Sequence, residues 1–310
     1  MKKIKKRLFL FCIPIIIIIL LGISTLLIKE SESVNWREQT FFDENGVPFY
    51  DTYTKSGQYL GKQRNPIIIY RVANGFYNDF LKNNNETSKK IFLNNANWLK
   101  ENTLKKENYS IFEYSYIHPG YYEIPNGWHD SLAQGRIINI MLKAHNLTND
   151  TKYLTEAKLL LNGFFVDVSD GGLTYKTKEN GFWYVHFAHK EGLKPRVVNG
   201  MMFTLLDIYS YYEYTNDPDA KFLFDQGIIA LKNEIHYYDF FGYTYYDSLK
   251  GATSYDYHKI HVAKAKLLFD ITNEKIFMEY HTKWKSCEET CHYILRHIAS
   301  PLRDLEKFLA

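Results

Sequence analysis

Tyr212-Glu213-Tyr214-Thr215-Asn216-Asp217, running into Ala220-Lys221-Phe222-Leu223, decides the fold because it recurs. Leu142-Lys143-Ala144-His145-Asn146-Leu147-Thr148-Asn149-Asp150 runs the same way into Tyr153-Leu154. Phe269-Asp270-Ile271-Thr272-Asn273-Glu274 runs into Ile276-Phe277. A weaker copy, Asn84-Asn85-Glu86-Thr87, leads to Lys90-Ile91-Phe92-Leu93. Each copy ends one apolar helix, turns, and caps the next with Asn, Asp or Thr. The copies stand about 57 to 67 residues apart, the period of helical hairpins too small to bury their faces alone.

Helical periodicity around these turns predicts helices near 67–82, 88–103, 131–146, 150–165, 197–215, 218–237, 258–272 and 275–297. Four hairpins in series predict an all-α fold of the α/α toroid kind, an incomplete barrel of helical hairpins with short β or irregular segments. The Tyr- and Gly-rich stretches 109–130, 168–190 and 239–257 fall between hairpins. They are expected to gather at one end of the array, where loops on a rigid scaffold commonly carry a site.

Composition narrows the class. The 310 residues carry 38 Lys and Arg against 35 Asp and Glu, a formal charge of +3. Lys2, Lys3, Lys5, Lys6 and Arg7 supply five of those positives. Without them 33 basic residues face 35 acidic ones, so no basic body remains to attract nucleic acid. Residues 8–28 are uncharged and mostly Ile and Leu, long enough to cross a bilayer as a helix. The basic tip precedes this run, so the positive-inside rule predicts a single-pass membrane protein with a cytoplasmic N-terminus and an extracytoplasmic catalytic domain. The rival reading is a cleaved signal peptide, against which stand the length of the run and the lack of a clear small-x-small cleavage site. The expected organisation is a basic tip and transmembrane anchor over 1–28, an irregular or short-stranded lead-in over 29–65, and the toroid over 66–310. Cys287 and Cys291 lie four apart beside His292, with no further cysteine to complete a thiolate zinc site. They are read as helix-face thiols or a local disulfide.

The three inter-hairpin stretches carry the chemistry. The first holds Tyr114-Ser115-Tyr116, then Gly127-Trp128-His129-Asp130-Ser131-Leu132-Ala133-Gln134-Gly135. The second reads Gly181-Phe182-Trp183-Tyr184-Val185-His186-Phe187-Ala188-His189-Lys190, closing on Pro195-Arg196-Val197-Val198-Asn199-Gly200. The third reads Gly242-Tyr243-Thr244-Tyr245-Tyr246-Asp247, then Ser254-Tyr255-Asp256-Tyr257-His258-Lys259-Ile260-His261. Rings mixed with Arg, His, Asn and Gln suit a carbohydrate, whose apolar faces and hydroxyls need both.

Several of these stretches, in this order, resemble the D-glucuronyl C5-epimerase family. The resemblance runs from Asp43-Glu44-Asn45-Gly46-Val47-Pro48 to Trp284-Lys285. It rests on Gly61-Lys62-Gln63-Arg64-Asn65-Pro66, on Trp128 with Ser131-Leu132-Ala133-Gln134-Gly135, on Val198-Asn199-Gly200, on Tyr246-Asp247, and on Asp256-Tyr257-His258 with His261. It implies an α/α toroid that inverts C5 of uronic acid units within a polysaccharide, with Tyr246 and Tyr257 in catalysis. A third family tyrosine stands in a Glu-Glu-Tyr-Pro stretch after an aromatic pair. Here Val185-His186-Phe187-Ala188 follows Trp183-Tyr184, and Phe187 cannot carry a proton. Either His186 or Tyr184 takes that role, or the chemistry is altered or lost.

Abstraction of a proton α to a carboxylate needs a base on one sugar face, an acid on the other, and donors aimed at the developing charge. Arg196, Lys250 or His258 are candidates for the carboxylate. Trp128, Gln134, Asn199 and Asp247 complete the expected binding set. No cofactor is required. The expected partners are a uronic-acid-containing polysaccharide or glycan, the membrane through the N-terminal helix, and a second copy in a homodimer. A uronate lyase, which shares the C5 carbanion, and a non-catalytic glycan-binding homologue are the alternatives.

Overall fold

The computed structural model describes residues 40–294, except 55, 121, 123, 179–180, 193–194 and 252, and excludes the side chains of 288–294. Among the described residues eight α-helices form four hairpins: α1 (Pro66–Asn83) with α2 (Glu86–Glu101), α3 (Ser131–Thr148) with α4 (Thr151–Asn162), α5 (Val198–Thr215) with α6 (Pro218–Glu234), and α7 (Tyr255–Thr272) with α8 (Lys275–Ile294).

The repeated turns explain the hairpins. Asn84, Asn149, Asn216 and Asn273 each take the left-handed conformation, with φ of 52°, 54°, 53° and 56°. Asn enters that region at less cost than other side-chain-bearing residues. Each donates its N–H to a carbonyl four residues back: Phe80, His145, Tyr212 and Phe269. In three turns the next residue caps the following helix. Asn85 accepts from Thr87 and Ser88 N–H, Asp150 from Lys152, and Asp217 from Asp219. One residue stops a helix and its neighbour starts another, so the two helices must run antiparallel.

Helices α1, α3, α5 and α7 pack on one another in chain order and form the inner layer, and their partners lie outside. Ile69, Ala73, Phe92, Leu99, Ile137, Met141, Leu160, Leu205, Leu231 and Trp284 fill the space between layers, all without solvent exposure. Each such side chain of Leu size contributes about 1.5–3 kcal/mol by burial.

The longer connections lie at the end opposite the Asn turns, and each carries a short antiparallel ladder. β4 (Leu104–Lys105) pairs β5 (Ser110–Ile111), and β6 (Glu113–Tyr114) pairs β7 (Trp128–His129). β8 (Thr174–Lys176) pairs β9 (Phe182–Tyr184), and β10 (Asp239–Phe240) pairs β11 (Tyr243–Thr244). Before α1, a three-stranded antiparallel sheet of β1 (Phe41–Phe42), β2 (Pro48–Tyr53) and β3 (Tyr59–Gln63) docks through Arg64, which donates to Asp43 at 2.7 Å and to the Val47 carbonyl at 3.2 Å.

Two expectations change. Helix α7 begins at Tyr255, three residues early, because Ser254 Oγ caps it by accepting from Tyr257 N–H at 3.3 Å. Tyr257 therefore sits in a helical first turn rather than in a loop. Among the described residues no helix is long and apolar enough to cross a membrane. That corrects the reading of a single-pass membrane protein with an extracytoplasmic domain. No described helix carries it, and the run at 8–28 lies outside the described residues, as does the Cys291 side chain on which a disulfide would depend.

Candidate active site

Backbone hydrogen bonds zip the three inter-hairpin connections together. His129 and Ala188 exchange N–H to carbonyl bonds of 2.8 Å in both directions, joining the first connection to the second. Val198 N–H donates to the Tyr246 carbonyl at 3.2 Å and Ser248 N–H to the Arg196 carbonyl at 3.0 Å, joining the second to the third. The Tyr122 hydroxyl donates to Asp247 Oδ2 and closes the first onto the third.

Asp130 and His186 meet at the first of these seams. Asp130 caps α3, its Oδ1 accepting from Leu132 N–H at 2.8 Å and Ala133 N–H at 3.2 Å. The same oxygen lies 2.6 Å from His186 Nδ1. A carboxylate oxygen can only accept there, so Nδ1 carries the proton and Nε2 is left as the exchangeable nitrogen. Gly200, at the start of α5, makes room for this imidazole. A Cβ at that position would stand 2.8 Å from His186 Cβ. Phe187 stacks on the His186 ring at 4.0 Å and touches His118 at 4.5 Å and Tyr122 at 5.3 Å. Burial, then the neighbouring His186, pushes His118 down to about 4.

Tyr246 and Tyr257 are the second pair, with ring centres 5.2 Å apart and planes inclined at 68°. Burial lifts the Tyr246 phenol well above its usual range, followed by Tyr257, Asp130 and Asp247. Tyr257 is 41% exposed, and partial burial of its phenol also raises its pKa. The two pairs are joined through the start of α5, where Val198 N–H bonds the Tyr246 carbonyl and Gly200 packs against His186. Asp247 holds the loop that presents Tyr246. Its Oδ1 accepts from Leu249 N–H at 2.8 Å and Gly251 N–H at 3.0 Å, while Oδ2 takes the Tyr122 hydroxyl.

The remaining candidates are placed differently. Tyr184 has no exposure, and its hydroxyl donates to the Leu223 carbonyl at 2.5 Å, so its phenol is spent in the core. Gln134 is used up as a brace, with Nε2 donating to the Ser110 and Leu160 carbonyls at 2.7 and 2.9 Å and Oε1 accepting from Phe112 N–H at 3.2 Å. Arg196 Nε donates to Glu234 Oε2 at 2.8 Å, which neutralises its charge internally.

His258 has no exposure. Its Nε2 faces the Trp284 carbonyl at 3.2 Å, so Nδ1 accepts from Thr244 Oγ1 at 3.1 Å. Burial chiefly pushes it down to about 4, and a neutral imidazole is no partner for a carboxylate. Lys250 is exposed on the Asp247 turn, where its ammonium donates to the Tyr237 carbonyl and lies 4.6 Å over the Tyr245 ring. Trp128 is a wall residue, 3% exposed, with one face covered by Tyr114 at 3.7 Å and Nε1 donating to the Tyr116 carbonyl at 2.8 Å. Asn199 Oδ1 is buried without a hydrogen-bond partner among the described residues, next to Gly200.

Asp130 and Tyr122 are the residues that reading the sequence did not single out for the site. The N-cap position of Asp130 before Ser131 was a signal for a helix start, though not for a histidine partner. Nothing local marks Tyr122, whose acceptor lies 125 residues away.

The model of the D-glucuronyl C5-epimerase C-terminus matches residues 78–286. The chain belongs to that family. It is 28% identical to an uncharacterized protein of Methanocaldococcus jannaschii, over 92% of this chain and 99% of that protein. It is 27% identical to D-glucuronyl C5-epimerase of Caenorhabditis elegans, over 61% of this chain but only 33% of the relative. Among solved structures it is similar to a D-mannose isomerase (TM-score 0.55, 11% identity, 81% of this chain and 66% of that one). It is also similar to the cellobiose 2-epimerase of Spirochaeta thermophila (TM-score 0.52, 14% identity, 80% and 64%). At such identities the structural likeness speaks for the helical toroid architecture alone.

Proposed function

We propose that this protein epimerises C5 of uronic acid units in a polysaccharide or glycan, in the sense D-glucuronate to L-iduronate. Membership of the epimerase family supports a carbohydrate epimerase. The observation that supports the finer reading is an Asp130–His186 pair and a Tyr246–Tyr257 pair on connections that backbone hydrogen bonds join to one another.

His186 Nε2, with Nδ1–H held by Asp130, takes the C5 proton from one face of the sugar. The electron pair left at C5 delocalises into the carboxylate. Tyr246, whose raised pKa keeps it protonated near neutrality, delivers its phenolic proton to the opposite face. Tyr257, partly exposed and in ring contact with Tyr246, returns a proton to that phenolate from solvent, and the His186 imidazolium releases the abstracted proton to solvent, which restores both groups. Lys250, on the same turn as Tyr246, is the cation available for the carboxylate once it leaves the Tyr237 carbonyl. Asn199 Oδ1 supplies an acceptor for a sugar hydroxyl.

Incubation with glucuronate polymers in heavy water tests this. Deuterium should enter at C5, with iduronate in the product. Failure of exchange with every uronate polymer offered, native glycan included, removes the proposal. An unsaturated product absorbing in the ultraviolet would assign the same carbanion to a lyase. Phe187, stacked on His186 where the family carries a phenol, favours one other reading. That reading is a glycan-binding homologue, with saturable binding and no exchange.

A further inference from the structure

Away from the connections, side chains from all four inner helices meet on the concave face. Tyr70 and Asn74 come from α1, and Arg136, Asn139 and Lys143 from α3. Phe203 and Asp207 come from α5, and Lys264 from α7. Arg136 to Lys143 lie 5 to 12 residues beyond Ser131, so at ~1.5 Å per residue the cluster begins ~8 Å from the site end and runs to ~18 Å.

Three cations share one carboxylate. Asp207 Oδ1 accepts from Arg136 Nη1 at 2.9 Å and Asn139 Nδ2 at 2.6 Å, while Oδ2 is buried without a partner among the described residues. The Arg136 guanidinium is held between the Tyr70 and Phe203 rings, 4.7 and 4.6 Å from their centres. Lys264 lies 4.5 Å over the same Phe203 ring, and Lys143 donates to Asn74 Oδ1. The charged groups acting on both lysines are Asp207 and Arg136, so the cluster carries an excess of about two positive charges at partial burial. Such charge is costly unless an anion joins it. The rings and amides hold the cations in place, which lowers the entropy cost of binding one.

We propose that this concave cluster of Arg136, Lys143 and Lys264 binds a carboxylate or sulfate group on an acidic glycan, as an anchor separate from the reacting unit. The glycan part rests on the proposed function, while the anionic part rests on the cluster alone. Asp207 tunes the anchor. Burial pushes its carboxyl up to about 7 against the pull of Arg136, Lys264 and Lys143. Protonation near neutrality removes the negative charge of Asp207, the one that faces the three cations among the described residues, so affinity rises as pH falls through 7.

Calorimetric titration with a glucuronate oligomer, its sulfated analogue and a neutral oligomer of equal length provides the test. The double variant Lys143→Gln/Lys264→Gln, checked for an unchanged melting temperature, should weaken the acidic oligomer by roughly tenfold or more and reduce the salt dependence. Asp207→Asn should bind at pH 8 as the native protein binds at pH 6. Preference between the carboxylated and sulfated oligomers identifies the anion. Equal affinity for the neutral oligomer, or a double variant that binds like the native protein, overturns the proposal. Binding that depends on these cations without C5 exchange would defeat only the epimerase reading. Exchange with no such dependence would defeat only the anchor.

Discussion

Two histidine-bearing regions look alike in sequence and end in opposite states. Val185-His186-Phe187 and Tyr257-His258-Lys259-Ile260-His261 both set imidazoles among rings. In the second region His258 has both nitrogens bonded, while His261 has Nδ1 bonded and its Nε2 buried without a hydrogen-bond partner among the described residues. His261 Nδ1 lies 2.8 Å from Thr244 Oγ1, which also faces His258 Nδ1, and His258 Nε2 faces the Trp284 carbonyl. One proton order satisfies the chain. His261 donates to Thr244, Thr244 to His258, and His258 to the carbonyl. Burial holds His258 down to about 4 and His261 to about 3, so this network ties α7 to β11 and α8 with neutral rings. In the first region a carboxylate takes one nitrogen and leaves the other. An imidazole is available for chemistry only where its second nitrogen is neither bonded, as in His258, nor sealed from solvent, as in His261.

The sharpest way to break this contrast is His186→Gln. It should lower C5 exchange by a factor of about 10²–10⁴, the usual range for losing a general acid or base, with little change in melting temperature. A variant that keeps native exchange rates would remove His186 from the mechanism. Asp130→Asn comes next. Asn still caps α3, so stability should hold. The amide can offer Nδ1 an N–H in place of an acceptor, which favours the wrong tautomer. Exchange should fall by about tenfold or more, and a rate equal to native would show that the pair does not orient the ring.

Acid unfolding probes the other region. His258 and His261 have folded pKa values below the usual 6.5, so their stabilisation is complete above about 6.5. It is lost as pH falls from there towards about 4 and 3, because the unfolded chain binds protons that the folded one refuses. Thr244→Val should lower stability by about 1–3 kcal/mol through the stranded imidazole nitrogens, leaving the exchange rate per folded molecule near native. An acid transition unmoved in a His258 or His261 variant would contradict the network.

A pH-dependent effect of opposite sign is expected at Asp207. Its folded pKa is raised, so it disfavours folding increasingly as pH climbs from about 4 to about 7. The melting temperature of Asp207→Asn relative to native should rise across that window and level off above it. A difference independent of pH would show that Asp207 stays ionised throughout.

Reading the sequence located the hairpins to within a few residues because their signals are local. An Asn able to turn left-handed and a neighbour able to cap act across two positions, and neither depends on distant packing. Helix α7 was the exception in position. The Tyr-rich run read as loop, while Ser254, one residue before it, was already a cap. In the site, Tyr246, Tyr257 and His186 were legible as groups able to hold a proton. Tyr184 and His186 looked interchangeable, two residues apart on one extended stretch. They separate only because the Leu223 carbonyl, 39 residues on, takes one hydroxyl, and Asp130, 56 residues back, takes one nitrogen.

The concave cluster extends that lesson. Arg136, Lys143, Asp207 and Lys264 are unremarked polar positions on three helices, and nothing within any one helix announces the others. By itself the sequence determined the number of hairpins, the caps between them, and which stretches hold rings and titratable groups. Those follow from short-range sterics and hydrogen bonding, which a few neighbouring residues settle. Only the tertiary structure decided which imidazole keeps a nitrogen for chemistry, which phenols are spent, and where three cations share one carboxylate. Those depend on burial and on partners brought from dozens of residues away, and desolvation gives such groups their character.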